Sequence, residues 1–236
     1  MFSIWRGRGK TSLSWIWIGG YDFKMTINLD SESFWDQIYR SNDDRGLSWY
    51  EGSESISFNW IVDIISKTSR VADIGGGRSL LIPKLLSVGY KNLSHIEWSE
   101  SASLSLQRDL GSGASEIDWV IGDLTRWQPK SPVDLWHDRA VLHFQTDERS
   151  CFEYLKSLHR NLSESGYVLL ATFHLDGPDS CSGLPVKRYD DLTLLNMLQS
   201  FDGSNWTKVQ SVIWTHKTPT LKDQKFQYLL AKRESS

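Results

Sequence analysis

The sequence contains little cysteine, few prolines and no long apolar run. Its two cysteines, Cys151 and Cys181, are too few for a disulfide framework and lack the paired spacing of a zinc site. This usage predicts a protein of a reducing compartment such as the cytoplasm. Because no run approaches roughly 18 apolar residues, we expect no membrane span. The net charge of -3 gives no reason to expect nucleic acid or an anionic membrane as a partner.

The length of 236 residues suffices for one sizeable α/β domain and leaves little for a second. We expect residues 29–236 to form that domain and residues 1–28 to be an N-terminal extension. The extension begins with basic residues and serines and without acids, as mitochondrial transit segments do. Two interpretations stay open: residues 1–24 direct the protein to mitochondria, or the extension is a disordered tail. The basic residues are Arg6, Arg8 and Lys10.

A glycine-rich turn follows an apolar strand in the first third of the chain. The strand Val71–Ile74 contains a single acid, Asp73, and runs directly into Gly75–Gly77. Glycine has no Cβ, so the backbone can turn sharply there and a ligand can approach closely. A helix is expected next, with Ser79 as its cap and Pro83 near its first turn. Strand, turn and helix together predict the nucleotide-binding crevice of an open α/β sheet.

The pattern Asp73-x-Gly75-x-Gly77 resembles the first motif of class I S-adenosylmethionine-dependent methyltransferases. The resemblance implies S-adenosylmethionine as the cofactor, with its amino-acid end held by these three residues. An acid in the motif suits an ammonium and would repel a pyrophosphate, and Leu80 occupies the third glycine position of the dinucleotide fingerprint. A nucleotide-dependent oxidoreductase is therefore the less favoured alternative.

A second strand, Leu93–Trp98, carries an acid 24 positions after Asp73. At this spacing, a carboxylate at the second strand tip accepts hydrogen bonds from ribose hydroxyls in such folds. We therefore expect Glu97 to bind the ribose of the cofactor. Trp98 beside it is expected either to stack on the adenine or to pack at the sheet edge.

A third strand, Ile117–Leu124, also ends near an acid. Asp123 resembles the acid of the family's third motif, which implies a hydrogen bond to the adenine amino group. The same resemblance implies that the backbone amide of Leu124 meets a ring nitrogen. Asp also begins many loops, because its side chain bonds nearby amides. Its position at a third consecutive strand end favours the cofactor contact.

The fourth strand and its exit, Val133–Phe144, carry several polar side chains where an open sheet meets its ligand. The Trp-His-Asp-Arg run that ends at Arg139 resembles the fourth motif of a bacterial-type group of small methyltransferases. His137, Asp138 and His143 are the candidates to orient the methyl acceptor or to take its proton. Arg139 is expected to hold an acidic substrate group or, equally, to form a structural salt bridge.

A metal site is a weaker alternative. It would require His137, His143 and His174 to meet, and these residues follow neighbouring strands. Histidines at strand ends are usually hydrogen-bonded without metal, and carboxylate-rich ligation is not evident. We therefore expect no metal.

An aromatic segment precedes the glycine turn. A helix over residues 30–40 places Trp35 and Tyr39 on one face, and a Trp49-Tyr50 step follows. This pairing resembles the first segment of a methyltransferase subgroup that includes protein-lysine methyltransferases. The resemblance implies that Trp49 lies over the cofactor and that Trp35, Tyr39 and Tyr50 lie at the substrate mouth. Packing of the helix on the sheet is the alternative.

A fifth strand, Tyr167–His174, is apolar enough for the centre of the sheet. The loop after it is rich in glycine, proline and serine, and a long loop on the ligand side is more often a lid or substrate loop than filler. We expect Phe173, at the end of the strand, and Arg188, in the loop Gly177–Arg188, to bind the substrate.

The end of the chain predicts an antiparallel hairpin, because residues 206–216 and 225–232 alternate apolar with polar. Class I methyltransferases end their sheet in this way. The expected fold class is α/β: one three-layer Rossmann-like domain with a seven-stranded, mostly parallel sheet. The predicted function is methyl transfer to an O, N or S nucleophile of a small molecule or a protein side chain. The alternative is a catalytically silent module that binds S-adenosylmethionine and a protein partner. The sequence does not indicate an oligomeric state.

Overall fold

The computed structural model describes residues 11–18, 21–28, 32–41, 46–51 and 55–234. In the N-terminal region, the backbone forms two antiparallel strands, β1 (Thr11–Ile18) and β2 (Tyr21–Asn28). The basic residues of the transit-like pattern lie outside the described ranges. The role of the extension therefore stays a prediction.

A seven-stranded sheet organises the rest of the chain. Its strands are β3 (Arg70–Ile74), β4 (Asn92–Glu97), β5 (Ile117–Ile121), β6 (Val133–Arg139), β7 (Leu162–Phe173), β10 (Trp206–Lys217) and β11 (Asp223–Arg233). Strands β8 (Ser180–Cys181) and β9 (Leu184–Pro185) form a separate two-stranded sheet. The order across the sheet is β10-β11-β7-β6-β3-β4-β5. Strands β3 to β7 pair in parallel, whereas β11 runs antiparallel to both β7 and β10. The predicted α/β fold, a mostly parallel sheet that ends in an antiparallel hairpin, is confirmed.

The strand order reverses at β3. Strands β4 and β5 extend the sheet on one side of β3, and β6 and β7 extend it on the other side. In open α/β sheets, ligands bind outside the carboxyl ends of the strands at such a reversal. The topology therefore places the glycine turn after β3 at the centre of the ligand crevice.

Helices cover both faces of the sheet and give the domain three layers. They are α1 (Glu32–Ser41), α2 (Ile56–Ile64), α3 (Leu81–Ser87), α4 (Glu100–Leu110), α5 (Glu148–Asn161) and α6 (Asp191–Asp202). One core cluster joins α2 and α3 to the sheet, and a second joins α5 and α6 to the opposite face. Full burial of a leucine such as Leu85 or Leu158 contributes about 1.5 to 3 kcal/mol.

The segment after β7 is more ordered than the sequence suggested. The predicted loop contains the short hairpin β8-β9, in which Cys181 pairs with Leu184. The two turn residues, Ser182 and Gly183, have φ values of +53° and +78°. Positive φ at both central positions is the conformation of a type I′ turn, which matches the twist of a two-residue hairpin. The Ser-Gly pair was the sequence signal for this element.

None of the helices in the described ranges has both the length and the apolar character of a membrane-crossing segment.

Candidate active site

A cavity of about 500 Å³ opens at the carboxyl ends of the parallel strands. A smaller cavity of about 70 Å³ adjoins it at the glycine turn, and the two share wall residues that include Gly75 and Trp49. The larger volume lies in the range of about 300 to 1,000 Å³ that is typical of small-molecule sites. Its wall includes six of the residues predicted to bind a cofactor: Trp49, Gly75, Glu97, Trp98, Asp123 and Leu124.

Two glycines of the turn have no room for a side chain. Gly75 has a φ of +62°, and a Cβ built there would lie 2.1 Å from Cγ2 of Val141. Gly77 has a φ of +54°, and its Cβ would lie 2.1 Å from the hydroxyl of Tyr39. Both the backbone conformation and the contacts therefore require glycine. Gly75 lines both cavities and Gly76 lines the smaller one, whereas Gly77 lines neither of these two cavities.

Asp73 lies under this turn and belongs to a buried chain of hydrogen bonds. Its Oδ1 accepts from Nδ1 of His137 at 2.7 Å, and Nε2 of the same ring lies 2.8 Å from the hydroxyl of Ser57. Asp73 Oδ2 accepts from the hydroxyl of Ser79 at 3.3 Å. Asp73 and His137 both line the smaller cavity.

Ser79 is not the cap that the sequence predicted. Helix α3 begins at Leu81, and Leu80 occupies the cap position without a side-chain hydrogen bond. The prediction was wrong by one position, although the Ser79 hydroxyl accepts from the amide of Leu81 at 3.4 Å and also donates to Asp73 in the strand before the turn. Ser79 therefore ties the turn to the strand.

Glu97 ends β4 and faces the larger cavity. Its Oε2 accepts from the backbone amide of Gly77 and its Oε1 from the amide of Ser99, both at 2.8 Å. Burial raises the pKa of this carboxyl to about 7, although the two amide bonds act in the opposite direction. Glu97 is therefore held rigidly at the cavity wall and titrates near neutral pH.

Asp123 lies two residues beyond the end of β5. Its Oδ1 accepts from the amide and the hydroxyl of Thr125, both at 2.8 Å, and so caps the short 3₁₀ turn Leu124–Arg126. Its side chain is 38% exposed, and it lines the larger cavity beside Trp98. The loop-starting role that the sequence allowed is present, and the residue also faces the ligand space.

Four of the residues predicted to bind substrate line the larger cavity: Trp35, Tyr39, Arg139 and Phe173. Tyr50 lines only the smaller one. Arg188 is exposed and does not contribute to the wall of either cavity in the described structure; its Nη1 donates to the carbonyl of Gly177 at 3.1 Å. The short hairpin between these two residues reaches the wall instead, through Cys181, Leu184 and Pro185.

Arg139 occupies the junction of the two cavities. Its Nε lies 3.0 Å from Oε1 of Glu51 and 3.1 Å from the hydroxyl of Tyr228, and its Nη1 donates to the carbonyl of Trp49 at 2.8 Å. The side chain is 12% exposed. The salt bridge that the sequence allowed is present, with Glu51 as the partner, and the guanidinium also faces the ligand space.

Asp138 and His143 lie behind the cavity wall. Asp138 is fully buried and accepts from the amides of Val141 and Leu142 and from the hydroxyl of Tyr154, the last at 2.5 Å. Burial raises its pKa to about 6, against these hydrogen bonds. Burial lowers the pKa of His143 to about 3, so this ring stays neutral at physiological pH. Neither residue touches the cavity surface in the described structure.

The three histidines of the metal alternative do not meet. His137 is bonded to Asp73, and Nδ1 of His143 accepts from the amide of Phe173 at 3.3 Å. Nδ1 of His174 accepts from the amide of Asp176 at 3.2 Å. Across the described ranges, no group of three or more His, Cys, Asp or Glu residues is arranged to hold a metal ion.

Helix α1 brings its aromatic face over the cavity. The Trp35 ring meets Trp49 and Phe144 edge to face, with centroids 6.1 and 5.2 Å apart. Asp36, which the sequence analysis did not single out, fixes the helix. Its Oδ1 accepts from the amide of Ser101 at 3.0 Å and from the hydroxyl of Ser99 at 2.5 Å. Asp36 thus joins α1, which carries the aromatic side chains over the cavity, to the start of α4.

The last strand also contributes to the site, which the sequence did not predict. Gln224 and Phe226 lie on β11 and line the larger cavity. The Phe226 ring packs against Phe173 with centroids 4.8 Å apart, and the Arg139 guanidinium lies 4.9 Å from its centroid. Alternation over residues 225–232 marked Phe226 as buried, whereas Gln224 fell in the predicted turn, and nothing local marked either residue as part of the cavity wall.

Comparisons with known proteins agree with this architecture. No family model matches the chain. The eEF1A lysine and N-terminal methyltransferase of mouse is 25% identical over 148 residues, which is 62% of this chain. That stretch is 21% of the mouse protein, so the chain corresponds to a small part of this relative.

Several solved structures with the same fold are methyltransferases. The 1,6-didemethyltoxoflavin-N1-methyltransferase of Burkholderia thailandensis superposes with a TM-score of 0.59 and 17% identity, and the match covers 76% of each chain. Phosphoethanolamine N-methyltransferase 1 of Haemonchus contortus gives a TM-score of 0.62 and 18% identity over 87% of this chain and 48% of that one. Both were solved with S-adenosylhomocysteine. The chain therefore has the fold of class I S-adenosylmethionine-dependent methyltransferases, as the sequence predicted.

Proposed function

We propose that this protein binds S-adenosylmethionine in the larger cavity and transfers its methyl group to an O, N or S nucleophile. The environment of Glu97 is the observation that carries the proposal. It is a buried carboxylate at the tip of the strand beside β3, it is held by two backbone amides, and it faces a cavity of about 500 Å³. A carboxylate at this position of the fold can accept two hydrogen bonds from a ribose.

The proposed binding mode divides the cofactor among three strand ends. Glu97 binds the ribose, and the amino-acid end crosses Gly75 toward Asp73 in the smaller cavity. The adenine end lies along Trp98 and Asp123. Aromatic faces above the crevice favour a cofactor with a positive sulfur, because the π face of a ring attracts cations.

Methyl transfer from a sulfonium needs little covalent chemistry from the protein, because the methyl group is already activated. Alignment of donor and acceptor can lower a barrier by about 7 to 11 kcal/mol. Since Asp138 and His143 lie behind the wall, we assign them, with His137, to positioning. The proposed rate enhancement comes from alignment in the cavity rather than from a histidine base.

Calorimetry with S-adenosylhomocysteine and with NAD tests the cofactor assignment. The proposal expects one S-adenosylhomocysteine per chain and no heat from NAD. Tighter binding of NAD would favour an oxidoreductase and overturn the proposal. Transfer of radioactive methyl from S-adenosylmethionine into the metabolite and protein fractions of a cell extract then separates small-molecule from protein acceptors.

A silent binding module is the second candidate. One observation favours it: none of the three residues predicted to act as a base lies on the wall of the larger cavity. The names of the similar proteins include both small-molecule and protein acceptors, so they leave the acceptor open. Cofactor binding without methyl incorporation in either fraction would support the silent module over the enzyme.

A further inference from the structure

The part of the larger cavity on the side of β7 and β11 is lined by apolar and aromatic side chains. Phe144, Phe173 and Phe226 line it, together with Leu184 of the short hairpin. Phe144 and Phe173 both pack against the ring of His143, which is neutral because burial lowers its pKa to about 3. Such walls fit a planar or largely apolar molecule. This end of the cavity is called the acceptor end below.

Arg139 lines the wall of the larger cavity and has one buried hydrogen-bond donor without a partner among the described residues. Its Nε and Nη1 are occupied by Glu51, Tyr228 and Trp49, and these bonds hold the guanidinium over the Phe226 ring. Its Nη2 is buried and has no hydrogen-bond partner among the described residues. An unpaired buried donor is costly, so a ligand that pairs with it gains accordingly.

Gln224 lines the same cavity and has a buried acceptor without a partner in the described structure. Its Oε1 is buried and finds no partner within the described part of the chain. The side chain is 9% exposed and lines the cavity. Gln224 precedes Phe226 by two residues on β11, and residues two apart on a strand point to the same face. Because Arg139 lies over Phe226, the donor and the acceptor share one wall.

The two groups discriminate between chemical classes of acceptor. An ammonium has three donors and no acceptor, so it cannot pair with Arg139 Nη2. An amide or lactam carries an oxygen for Arg139 and an N–H for Gln224. Glu51, 3.0 Å from the Arg139 guanidinium, balances its charge, so the site does not demand an anion.

We infer that the methyl acceptor is a planar, uncharged molecule that carries a carbonyl oxygen and an N–H or O–H donor, and that it is not a lysine amine. The inference rests on the proposed function, because it concerns the acceptor of the same site. Arg139 and Gln224 act as specificity residues, and the aromatic wall holds the plane of the ligand.

Two small probes on the same ring test the inference: benzamide, which carries a carbonyl and an N–H, and benzylamine, which is an ammonium at neutral pH. Binding to the full chain saturated with S-adenosylhomocysteine is measured by saturation-transfer NMR. We expect benzamide to bind at least about tenfold more tightly than benzylamine. Equal or tighter binding of benzylamine, or no binding of benzamide, overturns the inference.

A variant series links the preference to Gln224. Gln224→Leu should weaken the binding of benzamide about fivefold. The control is Gln210→Leu, which replaces an exposed glutamine on β10 and should leave this binding unchanged. Gln224→Glu places a carboxylate on this wall and should shift the preference toward benzylamine. No change in either Gln224 variant overturns the inference. If Gln224→Leu does not fold, the comparison of the two probes on the unmodified chain still decides it.

The same titrations separate the two proposals. Failure of the unmodified chain to bind S-adenosylhomocysteine counts against the proposed function. Binding of S-adenosylhomocysteine without a preference for benzamide counts against the acceptor class alone.

Discussion

The two halves of the crevice are built in different ways. In the half proposed to bind the cofactor, which contains the glycine turn, Glu97 and Asp123, each polar group comes from the end of one strand. Neighbours in the adjoining turns hold it, as Gly77 and Ser99 hold Glu97. In the acceptor half, Arg139 and Gln224 come from strands far apart in the chain and meet only in the folded sheet. The geometry of the first half can stay the same while the residues of the second half change. Such a division suits a fold that serves many acceptors.

A side chain added at Gly75 in the glycine turn should have the largest effect on stability. Gly75→Ala forces a Cβ into Val141 and a strained φ, so we expect the free energy of unfolding to fall by about 3 kcal/mol. Chemical denaturation monitored by circular dichroism measures it. Gly46→Ala is the matched control, because no atom lies within 4 Å of the Cβ built there and its φ is not in the positive range. Equal stability of the two variants would contradict the packing described for the turn.

Replacement of Glu97, the residue proposed to bind the ribose, should have the next largest effect. Glu97→Ala should weaken S-adenosylhomocysteine by at least about tenfold, because two hydrogen bonds to a charged acceptor are lost. Glu100→Ala, an exposed acid in the first turn of α4, should bind as the unmodified chain does. Calorimetry on both variants gives the comparison. Unchanged affinity of Glu97→Ala would refute the assignment of the site.

The buried chain of hydrogen bonds that joins Asp73, His137 and Ser57 is expected to stabilise the fold. His137→Leu removes the partner of Asp73 and leaves its buried carboxylate without that bond, at a cost of about 1.5 kcal/mol. Urea unfolding at constant pH measures the loss. Added S-adenosylhomocysteine should still stabilise the variant, since its ribose and adenine are proposed to bind in the larger cavity, which His137 does not line. A variant as stable as the unmodified chain would show that the His137–Asp73 bond contributes nothing to the fold.

The pH dependence of binding gives the smallest effect and sharpens the role of Glu97. The pKa of its carboxyl in the ligand-free fold is about 7, above its ordinary value of 4.5. Hydrogen bonds donated by ribose hydroxyls would favour the ionised form. Affinity for S-adenosylhomocysteine should therefore rise about tenfold from pH 6 to pH 8 and then level off. By the same linkage, this carboxyl stabilises the ligand-free fold below pH 4.5, and that contribution is lost as the pH rises through 7. In Glu97→Gln both dependences should disappear, and their persistence would assign them to another group.

The sequence was most informative where a function resides in a few consecutive residues. Asp73 and Glu97 lie near the ends of their strands, the glycine turn and Asp123 follow theirs, and parallel strands bring their carboxyl ends to one edge. The family resemblance rested on these positions, and the fold confirmed it. Their contacts with a cofactor stay predictions that the binding experiments decide.

Strand β6 shows why the rest was not predictable. Successive side chains of a strand point to opposite faces, so His137 turns to Ser57 of α2 while Asp138 turns to Tyr154 of α5. The sequence placed both at a strand tip but did not reveal which neighbours would enclose them. Gln224 was missed for the related reason that it reaches the cavity only through the pairing of β11 with β7.

A crystal structure of the protein with S-adenosylhomocysteine tests the central claim most directly. The account predicts one molecule in the larger cavity, with both ribose hydroxyls within hydrogen-bond distance of Glu97 and the amino-acid end at Gly75. A molecule bound elsewhere, or a cavity with Glu97 still bonded only to the amides of Gly77 and Ser99 at saturating ligand, would contradict it.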